Sequence, residues 1–580
     1  MHVIATAGHV DHGKSTVVHA LTGMEPDRWD EEHRRGLTVD LGFVWTGLAG
    51  ADYAFVDVPG HRRFVANMLA GAGAVPAALF VVAADEGWMP QSTEHLAALD
   101  AFGVRDGILV VTKADRADPA PVLADAGERI ARSSLGHLAG VAVDATTGEG
   151  VDELRGMLAT LGSRMPVPPA DADVRLWVDR SFTVRGAGTV VTGTLPAGTL
   201  RTGDELALAS TGERIRIRGI ESLGTATPTA TGSARIALNL RGIDHDRLRR
   251  GDALLTPGSY YTVETLDVRL RGIDSGELHR EAVLHLGAAA TGARLRALGA
   301  DTARITVDTP LPVRAGDHGV LRDPGQHRVA GVEVLDPAPP VLRARGGAAE
   351  RARELASGEI TGARLRRSHF VAESELHTLG LAVSNTVIAG WAVDEQRWAE
   401  LPGAAAEEFA AWTRDNPLAA GMPARTLCAR LGLPRTLLGD LLRASELHSS
   451  GGLIRRTDEH ALPPWVERAV RDIVGELRSE PFRAPEADRL AALGLGQREL
   501  AAAARAGWLL RLSDGVVLAP EALARARSLL AELGEPFTVS QARRALGTTR
   551  RVAVPLLERL DAEGITTRLT DTTRTLHHAP

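Results

Sequence analysis

One short segment near the start of the chain combines glycine, lysine and a hydroxyl group in a pattern that can bind phosphate. Residues 8–15 read GHVDHGKS, which fits G-x-x-x-x-G-K-[ST] and follows the strand-like run HVIATA. Such a loop directs backbone N–H groups at a phosphate from the start of a helix, here predicted over 16–24. Lys14 is then expected to reach the β- and γ-phosphates of a nucleotide and Ser15 to hold Mg²⁺. The predicted loop residues are Gly8, His9, Val10, Asp11, His12, Gly13, Lys14, Ser15 and Thr16.

Lysine is nearly absent from this chain, which makes its two occurrences informative. Lys14 and Lys113 are the only lysines, although lysine and arginine together number 66. A compact ammonium fits between phosphate oxygens where a planar guanidinium does not. A coding bias toward arginine would explain the excess elsewhere. We therefore expect that chemistry retained lysine at these two positions.

Three further positions could serve a nucleotide–magnesium complex. Asp57 and Gly60 belong to DVPG, at the end of the strand-like run YAFVDV. We expect the Asp57 carboxylate to order Mg²⁺ through water and the Gly60 N–H to meet the γ-phosphate. Thr38 lies in a charged, loop-like segment before that strand, and its hydroxyl could complete the Mg²⁺ coordination only while the γ-phosphate is present. These positions predict a switch between an ordered and a disordered state.

The second lysine belongs to a motif that can recognise a purine base. Residues 112–115 read TKAD and follow the strand-like run GILVV. The Asp115 carboxylate can accept hydrogen bonds from N1–H and the 2-amino group of guanine, a donor pair that adenine lacks. The aliphatic stem of Lys113 can pack along the base while its charge stays in water. Residues 141–146 end another strand and are expected to close over the base through Asp144, Ala145 and Thr146.

Composition limits the class of protein and its location. A chain of 580 residues predicts several domains. The net charge of −7 leaves any nucleic-acid contact to local basic patches. The single cysteine, Cys428, excludes an internal disulfide framework and suits a reducing compartment. The most apolar run, residues 74–84, is too short to span a bilayer, and the N-terminus leaves no room for a signal peptide. We expect a cytoplasmic protein without a membrane partner, and nothing points beyond a monomer.

The pattern of strands and helices changes twice along the chain. Alternating strands and helices over residues 1–166 predict a doubly wound α/β domain that binds its ligand at the carboxyl ends of the strands. A proline-rich linker at 164–173 follows. Short strands separated by Gly-Asp turns then predict two β-barrels, at 174–258 and 261–340.

The remainder of the chain is alanine-rich and predicted to be mainly helical. Segments that begin at Pro417, Pro481 and Pro536 resemble one another, and each ends in a short strand-like tail. They fit a tandem of winged-helix modules. The predicted modules are residues 348–415, 416–469, 470–520 and 521–580. The fold class is therefore multidomain: an α/β nucleotide-binding domain, two β-barrels and a winged-helix tandem.

The motifs GHVDHGKS, RRGLTVD, DVPGH and TKAD together resemble the GTP-binding domain of translational GTPases. The resemblance implies that GTP, GDP and Mg²⁺ are the cofactors, that the ribosome is a partner, and that His61 positions the attacking water in GTP hydrolysis. Two positions depart from the family pattern. Thr112 replaces the usual asparagine of the guanine motif, and Asp144 replaces the usual serine of the base-closing loop. Both changes are expected to weaken guanine affinity, while Asp115 keeps guanine favoured over adenine.

Residues 178–195 and 233–244 are similar to bacterial selenocysteine-specific elongation factors. The resemblance implies selenocysteinyl-tRNA as a partner and a basic pocket for its amino acid, formed by Asp179, Arg180 and Arg235. A selenol is more acidic than a thiol, which titrates near about pH 8.5, so selenocysteine is an anion at neutral pH. A buried guanidinium favours that anion over the neutral hydroxyl of serine.

The same resemblance implies that the last module binds an mRNA hairpin downstream of a UGA codon. Its candidate RNA-binding residues are Arg543, Arg544, Arg550 and Arg551, which flank a predicted turn between two helices. Arginine can hold phosphate with two hydrogen bonds and can stack on splayed bases.

Two other functions fit part of the sequence. The first is another translational GTPase that carries aminoacyl-tRNA and has an accessory nucleic-acid-binding arm. The second is a nucleotide-regulated winged-helix protein that binds duplex DNA, with base contacts on one helix. Equal affinity for selenocysteinyl- and seryl-tRNA would favour the first function. Tight duplex binding by residues 521–580 would favour the second.

Overall fold

The computed structural model divides the chain into two compact units, residues 1–392 and 393–580. The ranges that the structure describes are 1–26, 40–60, 65–73, 75–186, 188–323, 329–343, 345–383, 386–456, 462–570 and 572–577. Thr38 and His61, predicted to act in Mg²⁺ binding and in hydrolysis, lie outside the described residues. Within those ranges, no helix combines the length and the apolar character needed to cross a membrane.

The first domain is built on a six-stranded sheet with the order β2-β3-β1-β4-β5-β6. The strands are β1 (His2–Ala7), β2 (Gly42–Leu48), β3 (Ala51–Asp57), β4 (Ala77–Ala83), β5 (Asp106–Thr112) and β6 (Ala139–Ala142). The helices are α1 (Lys14–Thr22), α2 (Val65–Ala72), α3 (Pro90–Ala101), α4 (Ala120–Ile130) and α5 (Val151–Arg164). Only β2 runs antiparallel to its neighbour.

Helices cover both faces of this sheet. One apolar core joins α2, α3 and α4 to one face, and a second core joins α1 and α5 to the other. Strand β4 is buried along its whole length. Its sequence AALFVVA is apolar throughout, as expected for a strand that helices cover on both faces of the sheet. The doubly wound α/β class predicted for this region is confirmed.

Two antiparallel β structures follow. The first is an eight-stranded sheet, β7-β16-β11-β12-β15-β9-β8 with β13 on β12, accompanied by the ribbon β10–β14. Its strands are β7 (Arg175–Trp177), β8 (Arg180–Val184), β9 (Gly188–Leu195), β10 (Thr199–Arg201), β11 (Glu205–Leu208), β12 (Arg214–Ser222), β13 (Thr225–Thr227), β14 (Thr229–Thr231), β15 (Ala234–Arg241) and β16 (Ala253–Leu255). Along β15 buried residues alternate with more exposed ones, so one face lines the core.

The second is a closed six-stranded barrel with the order β17-β20-β19-β18-β21-β22. Its strands are β17 (Thr262–Arg271), β18 (Glu281–Leu286), β19 (Ala289–Ala297), β20 (Thr302–Pro312), β21 (His318–Arg322) and β22 (Val329–Asp336).

Four groups of helices follow, each ending in a two-stranded β ribbon, which is the winged-helix pattern. The first contains α6 (Gly347–Ser357), α7 (Ile360–Ser368), β23 (Phe370–Ala372), α8 (Glu373–Leu379), β24 (Val387–Ile388) and β25 (Trp391–Val393). The second contains α9 (Glu395–Asp415), β26 (Met422–Pro423), α10 (Ala424–Leu431), α11 (Leu438–Arg443), β27 (Leu447–Ser450) and β28 (Leu453–Arg456). The third contains α12 (Pro464–Ser479), α13 (Ala487–Ala492), α14 (Gln497–Arg505), β29 (Leu510–Ser513) and β30 (Val516–Leu518). The fourth contains α15 (Ala522–Ala531), β31 (Phe537–Thr538), α16 (Val539–Ala545), α17 (Arg550–Ala562), β32 (Thr566–Arg568) and β33 (Thr573–Leu576).

Two predicted module boundaries were wrong. The limit at 415/416 assigned α9 to the first module, whereas α9 lies in the second unit and packs against α10. The limit at 469/470 cuts through α12, whose residues from Val466 to Leu477 share one apolar core with the third and fourth modules. Alanine-rich helices show little contrast between core-facing and exposed positions, so helix periodicity alone did not locate these limits.

The first winged-helix module is attached to the second barrel by buried charge. Arg351 on α6 is 1% exposed, and its guanidinium donates to Asp267 at 2.7 Å and to Asp336 at 2.5 Å, both on barrel strands. Arg304 also donates to Asp267, and Arg364 to Asp336. Two buried carboxylates thus share three guanidinium groups, and the attraction between them offsets the desolvation penalty of these charges.

Replacing Arg351 by methionine should destabilise this junction by about 3 kcal/mol, because two buried carboxylates lose a partner while Arg304 and Arg364 keep theirs. Native-state hydrogen exchange of the full chain measures this as lost protection of β17 and β22 amides. Arg353→Met, on the exposed side of the same helix, is the matched control. Equal protection in the two variants would contradict this assignment.

Candidate functional site

The phosphate-binding loop predicted from the sequence lies between β1 and α1. Gly8 has φ +135°, and a Cβ atom there would lie 2.1 Å from the Val81 carbonyl oxygen, so only glycine fits. Gly13 adopts φ +83° and directly precedes α1. The helix therefore starts at Lys14, two residues earlier than predicted, and its N-terminus faces the loop.

Lys14 is held inside the loop. Its ammonium donates to the His9 carbonyl at 2.7 Å, and the residue is only 6% exposed. Gly60 approaches closely, because a Cβ atom there would lie 2.6 Å from Lys14 Nζ and 2.7 Å from the Val10 nitrogen. The DVPG turn thus lies against the loop, where Gly60 is near the lysine expected to bind phosphate.

The structure brings together two of the three predicted Mg²⁺ residues. Ser15 Oγ donates to Asp57 Oδ2 at 2.6 Å, and Thr6 Oγ1 donates to Asp57 Oδ1 at 2.7 Å. Asp57 is fully buried at the end of β3. A hydroxyl beside a carboxylate supplies the hard oxygen donors that Mg²⁺ prefers, so these side chains fit the ion.

Two loop-supporting residues on α3 were missed by sequence reasoning. The Gly8 N–H donates to His95 Nδ1 at 3.1 Å, and the Val10 N–H donates to Gln91 Oε1 at 3.0 Å. Gln91 and His95 are four residues apart and so lie on one face of α3. That spacing was the available signal, but nothing local links it to a loop more than 80 residues earlier.

Burial keeps His12 and His95 neutral. Desolvation lowers the pKa of His95 to about 3, with Lys14 and His9 adding to the effect. Desolvation also lowers the pKa of His12, which is fully buried, to about 4. Neutral His95 can therefore accept the Gly8 N–H through its unprotonated Nδ1, and Lys14 remains as a cation of the loop.

Thr112, one of the two departures from the family pattern, is hydrogen-bonded to the phosphate loop. Its hydroxyl donates to the His12 carbonyl at 2.7 Å, and the residue is buried at the end of β5. The contact ties the phosphate loop to the strand that carries the base motif.

The charge of Lys113, expected to lie in water, is paired with two carboxylates. Its ammonium is not simply solvated but donates to Glu86 at 2.7 Å and lies 3.3 Å from Asp85. Burial alone would lower the pKa of Lys113, but hydrogen bonds to Glu86 and Asp85 raise it. The lysine is therefore held as a cation, while Asp115 two residues later is exposed, as contact with a base requires.

Asp144, the second departure, builds the base-closing loop. Its carboxylate accepts the Thr146 N–H at 2.8 Å and the Thr147 hydroxyl at 2.5 Å. These hydrogen bonds lower the pKa of Asp144 and close a turn that positions Ala145 and Thr146. A short side chain that caps the turn is what this position needs, and aspartate provides it.

The residues predicted to bind the amino acid meet at the boundary between the first domain and the eight-stranded sheet. Asp179 forms a bidentate pair with Arg235, and Thr192 Oγ1 also donates to Asp179 at 2.6 Å. The Arg235 guanidinium lies 3.7 Å from the ring centre of Phe43, and that of Arg180 lies 5.0 Å from it. A cavity of about 490 Å³ opens beside them.

This cavity combines apolar walls with a few polar groups. Phe43, Trp45 and Phe182 supply aromatic surface, while Arg180, Arg235, Glu221 and Asn239 supply charge and hydrogen-bonding capacity. Such a composition is typical of a site that orients a small organic group. Phe43 and Trp45 come from β2 of the first domain, and sequence reasoning did not assign them to the pocket.

The four arginines of the last module do not share one environment. Arg543, Arg544 and Arg550 are exposed where α16 and α17 meet. Arg551 instead donates to Glu486 at 2.7 Å and to the Pro485 carbonyl at 2.8 Å, so it joins the fourth module to the third. Thr548 reinforces that junction by donating to the Phe482 carbonyl.

Family models match the nucleotide-binding domain, both β domains and the last winged-helix module. Residues 1–163 match the elongation factor Tu GTP binding domain, and residues 188–255 match elongation factor Tu domain 2. Residues 276–341 match the β-barrel domain of selenocysteine-specific elongation factors, and residues 528–575 match the winged helix of elongation factor SelB. The fold and the nucleotide site define a translational GTPase.

Similar sequences and a solved structure identify the family within that class. The selenocysteine-specific elongation factor of Desulfomicrobium baculatum is 32% identical, with 98% of each chain covered. That of Escherichia coli (strain K12) is 39% identical over 58% of this chain and 56% of its own. A crystal structure of a bacterial selenocysteine-specific elongation factor aligns with a TM-score of 0.78 and 26% identity over 100% of both chains. The chain belongs to the selenocysteine-specific elongation factors.

Replacing Lys14 by arginine should weaken GDP and GTP binding by about 100-fold or more although the charge is kept, because the wider guanidinium does not fit between His9, Gly60 and a phosphate. Titration with a fluorescent guanine nucleotide measures the change. The comparison variant is Lys113→Arg, which can keep its contacts to Asp85 and Glu86 and should lose less than about tenfold. Wild-type affinity in Lys14→Arg would refute this role for lysine.

His95 predicts an acid-sensitive nucleotide domain. Its folded pKa lies below that of the unfolded chain, so the unfolded state takes up the proton first, and stability falls as the pH drops below about 6.5. His95→Asn keeps an acceptor for the Gly8 N–H and removes this titration, so it should lose less stability between pH 7 and pH 5.

Calorimetry of the full chain can follow this domain through the transition that added GDP moves upward. His19→Asn, at an exposed position of α1, is the control and should keep the wild-type pH dependence. An unchanged pH dependence in His95→Asn would contradict the buried neutral state.

Proposed function

We propose that this GTPase carries selenocysteinyl-tRNA to the ribosome at UGA codons that an mRNA hairpin marks. The observation that carries the proposal is the paired Asp179–Arg235 site with Arg180 at the edge of the nucleotide domain. A selenolate offers the charge that these guanidinium groups can bind, and serine does not.

The nucleotide site supports GTP-dependent control of this carrier. GTP and GDP would lie against the phosphate loop, with Lys14 at the phosphates and Asp115 at the guanine. Ser15 and Asp57, 2.6 Å apart, would hold Mg²⁺, with Thr38 completing the coordination while GTP is bound. Mg²⁺ would neutralise phosphate charge, and His61 would position the water that attacks the γ-phosphate.

The C-terminal modules support attachment to RNA. The third and fourth modules share one apolar core, and hydrogen bonds from Arg551 and Thr548 connect them. The two modules therefore pack as one unit. Arg543, Arg544 and Arg550 lie exposed on it and would contact the hairpin. Attachment raises the local concentration of the carrier at one codon, which lets delivery compete with termination. We propose a monomeric, cytoplasmic protein.

Replacing Arg543, Arg544 and Arg550 together by alanine should weaken hairpin binding by about 100-fold and reduce its salt dependence, because three phosphate or base contacts are lost. Electrophoretic or fluorescence titration of the full chain at two salt concentrations measures both effects. Arg525→Ala with Arg527→Ala, exposed on α15 of the same module, should change neither. Equal losses of hairpin affinity in the triple variant and in the Arg525/Arg527 variant would mean that only the net charge of the module matters, which would contradict the proposed contacts.

The complete function is tested on ribosomes. With selenocysteinyl-tRNA present, GTP hydrolysis should be stimulated more by ribosomes carrying UGA followed by a hairpin than by ribosomes carrying UGA alone. GTP hydrolysis is measured with purified components on two mRNAs, one with the cognate hairpin and one with a scrambled stem. Equal stimulation in both would contradict hairpin-directed delivery, and tight binding to duplex DNA alone would favour the DNA-binding alternative.

A further inference from the structure

Three arginines of the β domain that contains the eight-stranded sheet, namely Arg180, Arg235 and Arg250, converge on one short segment of the nucleotide domain. Arg180 Nη2 lies 3.2 Å from Asp40 Oδ2 and also donates to the Leu41 carbonyl. Arg250 Nη2 donates to Asp40 Oδ1 at 2.8 Å. Both carboxylate oxygens of Asp40 therefore face guanidinium groups of another domain.

The same segment also covers Arg235. Phe43, three residues after Asp40, stacks on the Arg235 guanidinium, whose hydrogen bonds go to Asp179. Both arginines proposed to bind the amino acid are thus already paired, Arg235 with a carboxylate of its own domain and Arg180 with one from the nucleotide domain. The Asp179–Arg235 pair lies within one domain, whereas the Asp40–Arg180 pair depends on how two domains meet.

Asp40 remains charged in this environment. Burial alone would raise the pKa of its carboxyl group, but Arg250 and Arg180 hold that pKa below its usual range. Asp40 and Arg180 are each about one quarter exposed, so their ion pair is only partly screened by water. A ligand anion that approaches Arg180 must compete with this carboxylate.

Strand β2 connects this contact to the nucleotide site. Gly42, two residues after Asp40, lies directly opposite Asp57 in the β2–β3 pairing. Asp57 in turn accepts the Ser15 hydroxyl beside the phosphate loop. A change in the Ser15–Asp57 contact therefore acts on a strand whose first residue is only two positions from Asp40.

We propose that Asp40 is an internal competitor for the amino-acid pocket, which occupies Arg180 and must leave it before a selenolate can bind. This inference rests on the proposed function. Rearrangement of Ser15 and Asp57 around a GTP–Mg²⁺ complex would shift β2 and withdraw Asp40, so affinity for the aminoacyl group would follow the bound nucleotide. The neutral hydroxyl of serine could not replace the Asp40 carboxylate as the partner of Arg180. The competition therefore adds to the discrimination between selenocysteinyl- and seryl-tRNA.

The test measures the affinity of the full chain for selenocysteinyl-tRNA in the GDP-bound and GTP-bound states. Asp40→Asn should raise the affinity of the GDP-bound protein by about tenfold and change that of the GTP-bound protein by less than about twofold. Asp40→Ser should act in the same direction. Because both variants remove the carboxylate but differ in size, agreement between them assigns the effect to the lost charge. The control is Asp52→Asn, an exposed carboxylate on β3 of the same sheet, which should change neither affinity.

The outcomes separate this inference from the proposed function. If the wild-type protein prefers selenocysteinyl-tRNA with GTP but neither Asp40 variant alters the ratio of GTP to GDP affinities, only the competitor role fails. If both variants weaken binding in both states, Asp40 supports the pocket and does not compete for it, which also overturns the inference. If the wild-type protein shows no preference for selenocysteine, the proposed function fails and the role of Asp40 fails with it.

Discussion

The fixed shape of the phosphate loop is the constraint on which the rest of this structure depends. Backbone N–H groups can bind a polyphosphate only if their positions do not drift, and here side chains from three other parts of the domain hold the loop. Thr112 supports it from β5, Gln91 and His95 from α3, and Asp57 through Ser15 from β3. Thr112 thus connects the loop to the strand that carries the base motif, and Asp57 connects it to β3, the strand that pairs with β2.

The distribution of arginine and lysine follows from the same electrostatic demands. Arginine joins parts of the chain where a planar fork can meet a carboxylate with two hydrogen bonds, as Arg175 does with Asp317 and Arg304 with Asp267. Lysine remains at the phosphate loop and the base motif, where a single ammonium is directed at one or two oxygens. A chain rich in arginine thus still needs lysine where a compact charge must fit a narrow space.

Local sequence was sufficient for the motifs and the fold class. The loop 8–15, the DVPG turn and TKAD each combine a strand end with residues that have few other uses, so their positions were predictable without any long-range contact. The β class of residues 174–340 was likewise predicted from turn chemistry. The candidate amino-acid pocket was predicted from family resemblance alone, because Asp179 and Arg235 are 56 residues apart and nothing local pairs them.

The remaining features depend on contacts between distant residues. The weaker guanine affinity expected from Thr112 and Asp144 stays a prediction. The fold adds that Thr112 ties the phosphate loop to β5 and that Asp144 caps its own turn, contacts that the sequence does not show. Arg551 looked like an RNA contact, but Glu486 of the preceding module is its partner. Phe43 and Trp45 could not be assigned to the pocket from sequence, because they lie on β2, more than 130 residues before Arg180 and Arg235 in the chain.

In the proposed function, one protein recognises both the bound nucleotide and the charge of the amino acid. The most direct measurement is a titration of the GTP-loaded wild-type protein with one tRNA charged either with selenocysteine or with serine, repeated with GDP. We expect a strong preference for selenocysteine that disappears with GDP. Equal affinity for the two charged tRNAs would contradict it, because Asp179, Arg180 and Arg235 would then not select an anion.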